Sequence, residues 1–206
     1  MQMDRAILIA TANQGKAREI REIFHDTNFD LKFLSDFAEQ FKNIEIYENA
    51  KSFEGNALIK AIIVGDLTGM ITLADDSGLC VDALDGRPGI YSVRYSEGAT
   101  DKSNYLKVLE EMKNIPFEKR DCHYNCTVAA YDPQTKFVET VSGDWNGKVA
   151  LEPRGNKSFG YAPIFLTHNS NYQKTNAESD LEDLIAINHR GQAFKKAIEV
   201  LQEYLK

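Results

Sequence analysis

The chain has little that could staple it, anchor it or draw it to a polyanionic surface. Of its 206 residues only three are cysteine, Cys80, Cys122 and Cys126, an odd and sparse set that excludes a disulfide framework. No apolar run approaches the roughly 20 residues that a membrane-spanning helix requires, so no membrane association is expected. The start, Met1 to Arg5, passes directly into Ala6–Ala10 without the longer apolar region and small-residue cleavage site of a secretory signal, and a cytoplasmic location is expected. Positive charge is scarce too. With 24 Lys and Arg against 31 Asp and Glu, the net charge of −7 excludes the basic stripe of a duplex-binding surface, and no nucleic-acid partner is expected. An acidic protein can still hold a small polyanion through local cations, amide donors and a metal ion.

What is present is ordinary globular material. At 206 residues and 43% hydrophobic composition the chain can bury an ample core, which suits one sizeable domain without a linker. Its chemical centre is Ala74-Asp75-Asp76-Ser77-Gly78-Leu79, which follows the β-rich run Met70–Leu73. Two readings fit. The aspartates emerge from the end of a buried strand, where active-site groups of α/β folds sit, or they form an Asx-type turn. On an extended chain adjacent carboxylates point apart, so one can work while its neighbour is structurally bonded.

Along the chain, a first strand over 6–11 leads through Thr11-Ala12-Asn13-Gln14-Gly15-Lys16 into a helix over 17–24. A strand–turn–helix start offers free amides and a positive dipole end to an anion such as phosphate, though N-capping plus a solvated lysine explains it equally. Asp30–Leu34 reads as a second strand, followed by a short helix before Asn49. Ser52 caps a helix over 53–64, with Glu54 and Lys60 in its first and second turns. A long loop follows the aspartates. A helix from Thr100 or Asp101 to Met112 then turns Tyr105, Leu106, Leu109 and Met112 inward. Strands over 120–131 and 137–150 form a hairpin, in which Cys122 and Cys126 share one face as small buried side chains rather than joining His123 at a metal. Arg154–Phe165 mixes cations, glycines and aromatics, a composition that suits either base stacking or a core plug. A short helix over 178–187 precedes Asn188-His189-Arg190-Gly191, and a last helix over 192–204 packs Phe194, Ile198 and Leu201 inward.

In this order and spacing, Thr11-x-Asn13-x-x-Lys16, Asn56-Ala57-x-x-Lys60, Asp75-Asp76-Ser77-Gly78-Leu79, Phe159-Gly160-Tyr161-x-Pro163-Ile164-Phe165 and His189-Arg190-Gly191 resemble the inosine/xanthosine triphosphate pyrophosphatase family. The resemblance runs from Ile7 to the final helix. It implies an α/β fold: a single bilobal domain over 1–206, with two lobes around a long mixed β-sheet, flanking helices, and the nucleotide in the cleft between the lobes of a homodimer subunit. It also implies magnesium-dependent, or manganese-dependent, hydrolysis of non-standard purine nucleoside triphosphates to the monophosphate and pyrophosphate. By resemblance, Asp76 and Lys60 are catalytic and Asp76, with Asp75 beside it, is on the metal side; Glu54, one place before the family's metal-binding glutamate, is expected as the third metal-side carboxylate. Thr11, Asn13, Lys16 and Ser77 match phosphate-binding positions, Phe159, Gly160 and Tyr161 the base-stacking loop, and His189 with Arg190 the contact to the 6-keto edge.

Three positions depart from the family pattern. Ala162 stands where the family has an aspartate, Leu184 where it has a lysine, and Gly55 where a glutamate commonly precedes Asn-Ala, with Glu54 one place earlier. These departures lie mostly at the base end. They keep open an alternative, a nucleotide-binding homologue with weak catalysis or altered base specificity.

Overall fold

The computed structural model of the chain describes residues 5–206; the expectation drawn from Met1–Asp4 lies outside the described residues. Strand β1 (Arg5–Ile9) leads into helix α1 (Gln14–Ile23). That helix begins a turn earlier than the periodicity indicates, because Asn13 Oδ1 accepts the Lys16 amide at 3.0 Å and so acts as the N-cap. Strand β2 (Phe29–Phe33), a 3₁₀ turn and the short α2 (Ala38–Phe41) follow. Helix α3 (Phe53–Thr68) is capped by Ser52 Oγ, which accepts the Gly55 amide at 3.0 Å. Next come β3 (Thr72–Val81), α4 (Asp101–Glu111), β4 (Asp121–Tyr131), β5 (Val138–Val149), β6 (Phe165–Thr167), α5 (Leu181–Leu184) and α6 (His189–Tyr204).

The six strands form one mixed sheet in the order β2-β1-β3-β4-β5-β6. β1 pairs in parallel with β2 and with β3, and β5 pairs antiparallel with β6. Among the described residues no helix is long and apolar enough to cross a membrane.

The chain divides into two units. The first comprises Met1–Asp76, Cys126–Gly143 and Arg190–Lys206; the second comprises Ser77–Asn125 and Asp144–His189. In the first, the period-2 alternation of the strands sorts side chains onto two faces. Ile7, Ile9, Leu73, Val128 and Ala130 pack with Ala17 and Ile20 of α1 and Phe194, Ile198 and Leu201 of α6. Leu8, Ala10, Ala74, Ala129 and Tyr131 pack with Ala57, Ala61 and Val64 of α3. In the second unit Leu79, Val81, Val108, Met112, Tyr124, Trp145, Tyr161, Phe165 and Leu184 form a separate core. Leu106, expected inward, is 43% exposed, and Val108 takes the buried place on α4.

Asp75-Asp76-Ser77-Gly78 is neither a turn nor the end of a strand: β3 runs straight through it to Val81. β1 pairs with β3 through Ile9, opposite Leu73. The aspartates therefore lie just past the carboxyl end of β1, beside the turn into α1.

Candidate active site

Because β3 stays extended, alternation carries Asp75 onto the face of Leu73 and Asp76 onto the face of Ala74. Asp75 is 2% exposed. Its Oδ2 receives Lys16 Nζ at 2.9 Å and the Cys126 thiol at 3.8 Å, with Arg190 Nε at 3.5 Å. Burial opposes its charge, but Lys16 and Arg190, with Lys60 further off, hold its carboxyl far below the usual carboxylate range. Asp75 is therefore a fixed anion. Its other oxygen, Oδ1, is buried and has no hydrogen-bond partner, an orphan acceptor of the kind that marks a place for a bound group.

Asp76 turns to α3 and meets a different environment. Its Oδ2 accepts from Asn56 Nδ2 at 2.9 Å, and Asn56 is itself fixed because its Oδ1 accepts the Ala50 amide at 2.9 Å. Burial raises the Asp76 carboxyl above its ordinary value and Glu48 adds to this, while Lys60, Asn56 and Lys16 pull it down. The two adjacent carboxyls are thus pushed in opposite directions by their surroundings. Lys60, largely buried, reaches Glu48 Oε2 at 2.7 Å. Glu48 stands in an irregular stretch with no motif around it, and no sequence signal points to it.

Several expected site residues sit elsewhere or are already engaged. Glu54 accepts from Thr140 Oγ1 at 2.9 Å, and among the described residues no group of three His, Cys, Asp or Glu side chains is arranged to hold a metal. The expected trio of Asp75, Asp76 and Glu54 is thus not assembled. At Gly55 an added Cβ would lie 2.6 Å from Ala50 Cβ, so the backbone here has no room for the glutamate of the family pattern. Thr11 Oγ1 accepts the Asn13 amide at 3.2 Å, which together with the Asn13 cap sets the turn before α1. Arg190, expected at a base edge, is 2% exposed and pairs with Glu19 Oε2 at 2.6 Å. Glu19 lies on α1, and no sequence motif points to it.

In the second unit, His189 is nearly buried and lies parallel to Tyr124, centroids 4.6 Å apart at 11°, and to Trp145 at 6.4 Å and 9°. Phe159 and Gly160 are partly exposed, as is Ser77. Tyr161 is 4% exposed and donates its hydroxyl to Ser92 O at 2.7 Å, so it belongs to the core of this unit and not to an accessible stacking surface. Ala162 and Leu184 are buried in the same unit, at 0% and 2% exposure.

A magnesium ion asks for hard oxygen donors. It usually takes only one or two carboxylates and fills its remaining positions with water and phosphate oxygens. The orphan Oδ1 of Asp75 and the less buried carboxylate of Asp76 fit that demand without a third acid.

The Ham1 family model matches residues 7–200. The chain is 44% identical over 200 residues to the dITP/XTP pyrophosphatase of Geobacter sulfurreducens, covering 97% of this chain and 96% of that one. It is 39% identical over 206 residues to the dITP/XTP pyrophosphatase of Lactococcus lactis, covering 98% and 99%. Among solved structures it resembles a HAM1 protein from Coxiella burnetii, with a TM-score of 0.83 at 35% identity over 97% of this chain and 99% of that one. The Ham1 protein of Staphylococcus aureus gives a TM-score of 0.80 at 32% identity, covering 98% of each chain. Family model, relatives and structures each match along nearly the whole length, and the chain belongs to the Ham1 family.

Proposed function

We propose that this protein hydrolyses non-standard purine nucleoside triphosphates (dITP, ITP and XTP) to the nucleoside monophosphate and pyrophosphate. The observation that carries the reading is the opposed pair on β3: Asp75, held anionic by Lys16 and Arg190, beside Asp76, which is bound to Asn56 and whose carboxyl burial raises above its ordinary value. Relatives sharing 38–44% of the sequence bear the name dITP/XTP pyrophosphatase.

In this mechanism Asp76, oriented by Asn56, takes a proton from water as the water oxygen attacks the α-phosphorus. The α–β anhydride P–O bond breaks, and the electron pair leaves with pyrophosphate. Lys16 and Lys60 offset the triphosphate charge, and the open amides at the start of α1 receive phosphate oxygens. Magnesium, or manganese in its place, would be held by Asp76 and Asp75 Oδ1 and would supply neutralisation of charge on the leaving group. Phe159 and Gly160 face the base and His189 lies at its 6-keto edge. Donors placed for O6 are left unpaired by a 6-amino group, which disfavours adenine. The protein acts on free nucleotides in the cytoplasm, as one domain in a homodimer subunit, in line with the family resemblance.

The test is product analysis. The protein is incubated with ITP, dITP, XTP, ATP and GTP, with magnesium and with a chelator. Monophosphate and pyrophosphate from the first three, abolished by chelation, are expected; orthophosphate with the diphosphate, or no turnover, overturns the assignment. A second reading, altered base preference, is favoured by the buried apolar Ala162 and Leu184. It would show as one strong substrate outside the inosine and xanthosine series.

A further inference from the structure

We infer that Asp101 is a positioning residue for nucleobase binding, acting through the amide of Gly160. This rests on the reading above, in which the 159–160 segment faces the base. Asp101 opens α4, and its Oδ2 accepts the Gly160 N–H at 2.7 Å. That amide belongs to the peptide plane joining Phe159 to Gly160. The other end of the same plane is held as well, because Phe159 O accepts the Ala162 amide at 3.2 Å. With φ +64 at Gly160 and φ −88, ψ 7 at Tyr161, residues 159–162 form a tight turn that places glycine at its first central position. An added Cβ at Gly160 would meet nothing within 4 Å. Glycine is therefore required by the backbone angle and not by crowding.

The turn is also tied down from its far side. Tyr161 donates its hydroxyl to Ser92 O, which also accepts from Asn104 Nδ2 at 3.2 Å, and Asn104 stands one turn along α4 from Asp101. Ser92 Oγ in turn accepts the Leu79 amide at 3.0 Å and donates to Gly89 O at 2.7 Å. Tyr161, Ser92 and Asn104 are each nearly or fully buried. Asp101 is the exposed member of this set, and its carboxylate accepts the segment's outer amide. Neither its position nor its chemistry matches a motif. Its carboxylate sets the plane that follows Phe159, so losing the acceptor frees the ring that is to stack while leaving Asp75, Asp76, Lys16 and Lys60 untouched. The consequence falls on binding of the base and spares both the phosphate end and the chemical step.

The experiment compares Asp101→Ala and Asp101→Asn with the unmodified protein. KM and kcat for ITP are measured alongside inhibition by inorganic tripolyphosphate, which carries the phosphates without a base. Loss of a hydrogen bond to a charged acceptor is expected to raise KM for ITP about tenfold in Asp101→Ala, with kcat and tripolyphosphate inhibition little changed. Asp101→Asn keeps an oxygen acceptor and should limit the rise to about threefold. An unchanged KM in Asp101→Ala, an equal weakening of tripolyphosphate, or Asp101→Asn as impaired as Asp101→Ala would each overturn the inference. Thermal melts confirm that the variants fold. If the unmodified protein releases no pyrophosphate from ITP, the proposed function fails, and the same comparison is then read from calorimetric affinities for ITP and tripolyphosphate. There, a loss of ITP affinity confined to Asp101→Ala still supports the positioning role, and its absence overturns it.

Discussion

Asp75 and Asp76 are joined by one peptide bond and turn to opposite faces of β3: Lys16 Nζ lies 2.9 Å from Oδ2 of the first, and Asn56 Nδ2 lies 2.9 Å from Oδ2 of the second. The first is embedded among cations from α1 and α6. The second faces a neutral amide, with a lysine whose charge is shared with Glu48. Strand geometry thus gives one dipeptide two different carboxyl chemistries.

Asp76→Asn should keep the fold and abolish most turnover, because it removes the base at nearly constant volume; a loss of about 10²–10⁴ in kcat is expected. Pyrophosphate release measured beside a thermal melt decides it. More than about a tenth of the original rate would rule Asp76 out as the essential base.

Asp75→Asn should lower stability, besides weakening the metal site proposed at its carboxylate. It leaves Lys16 facing a neutral amide, while Arg190 keeps Glu19, and breaking a buried pair costs about 3–5 kcal/mol. The sign with pH follows from the depressed Asp75 carboxyl: its stabilisation is present above the unfolded value near about 3.9 and is lost as pH falls toward the folded value. Urea unfolding from pH 7 downward should therefore show the two proteins converging below about pH 4. Equal stability at pH 7 would contradict the assignment.

The acid limb of kcat/KM should lie above the ordinary carboxylate value, since Asp76 must be ionised to act and burial raises its carboxyl. Lys60→Met removes a cation that favours the ionised form and should move the limb to higher pH. Glu48→Gln removes an anion and should move it lower. Limbs that shift in the same direction in both variants would show that the profile does not report Asp76.

Ala162→Asp or Leu184→Lys, made singly, should lower the melting temperature, because each places an unpartnered charge at a position with at most 2% exposure. The double variant should lose less than the sum, and its ratio of kcat/KM for ITP over ATP should exceed that of either single variant. Strictly additive effects on melting and on the ratio would show that the two positions are independent.

Much of this protein is set by local sequence. Apolar alternation and the 3.6-residue period place the strands and helices, and Ser52, Asn13 and Thr100 mark helix starts through their own side-chain bonds. The order and spacing of the Thr11, Asn56, Asp75, Phe159 and His189 motifs carried the family. Tertiary structure decided what those residues meet. Asp-Asp-Ser-Gly has turn chemistry by itself, and it is extended because it lies within a strand of a six-stranded sheet. Arg190 and Tyr161 look like ligand contacts in the sequence, yet one is spent on Glu19, 171 residues away, and the other on Ser92, 69 residues away. Glu48 carries no sequence signal and Asp101 reads only as a helix start, because an acid gains further meaning from its partner, here Lys60 twelve residues on and Gly160 fifty-nine residues on. Periodicity is a property of neighbours along the chain and can be read there; charge state and hydrogen-bond partnership depend on distances through space, which only the folded chain sets.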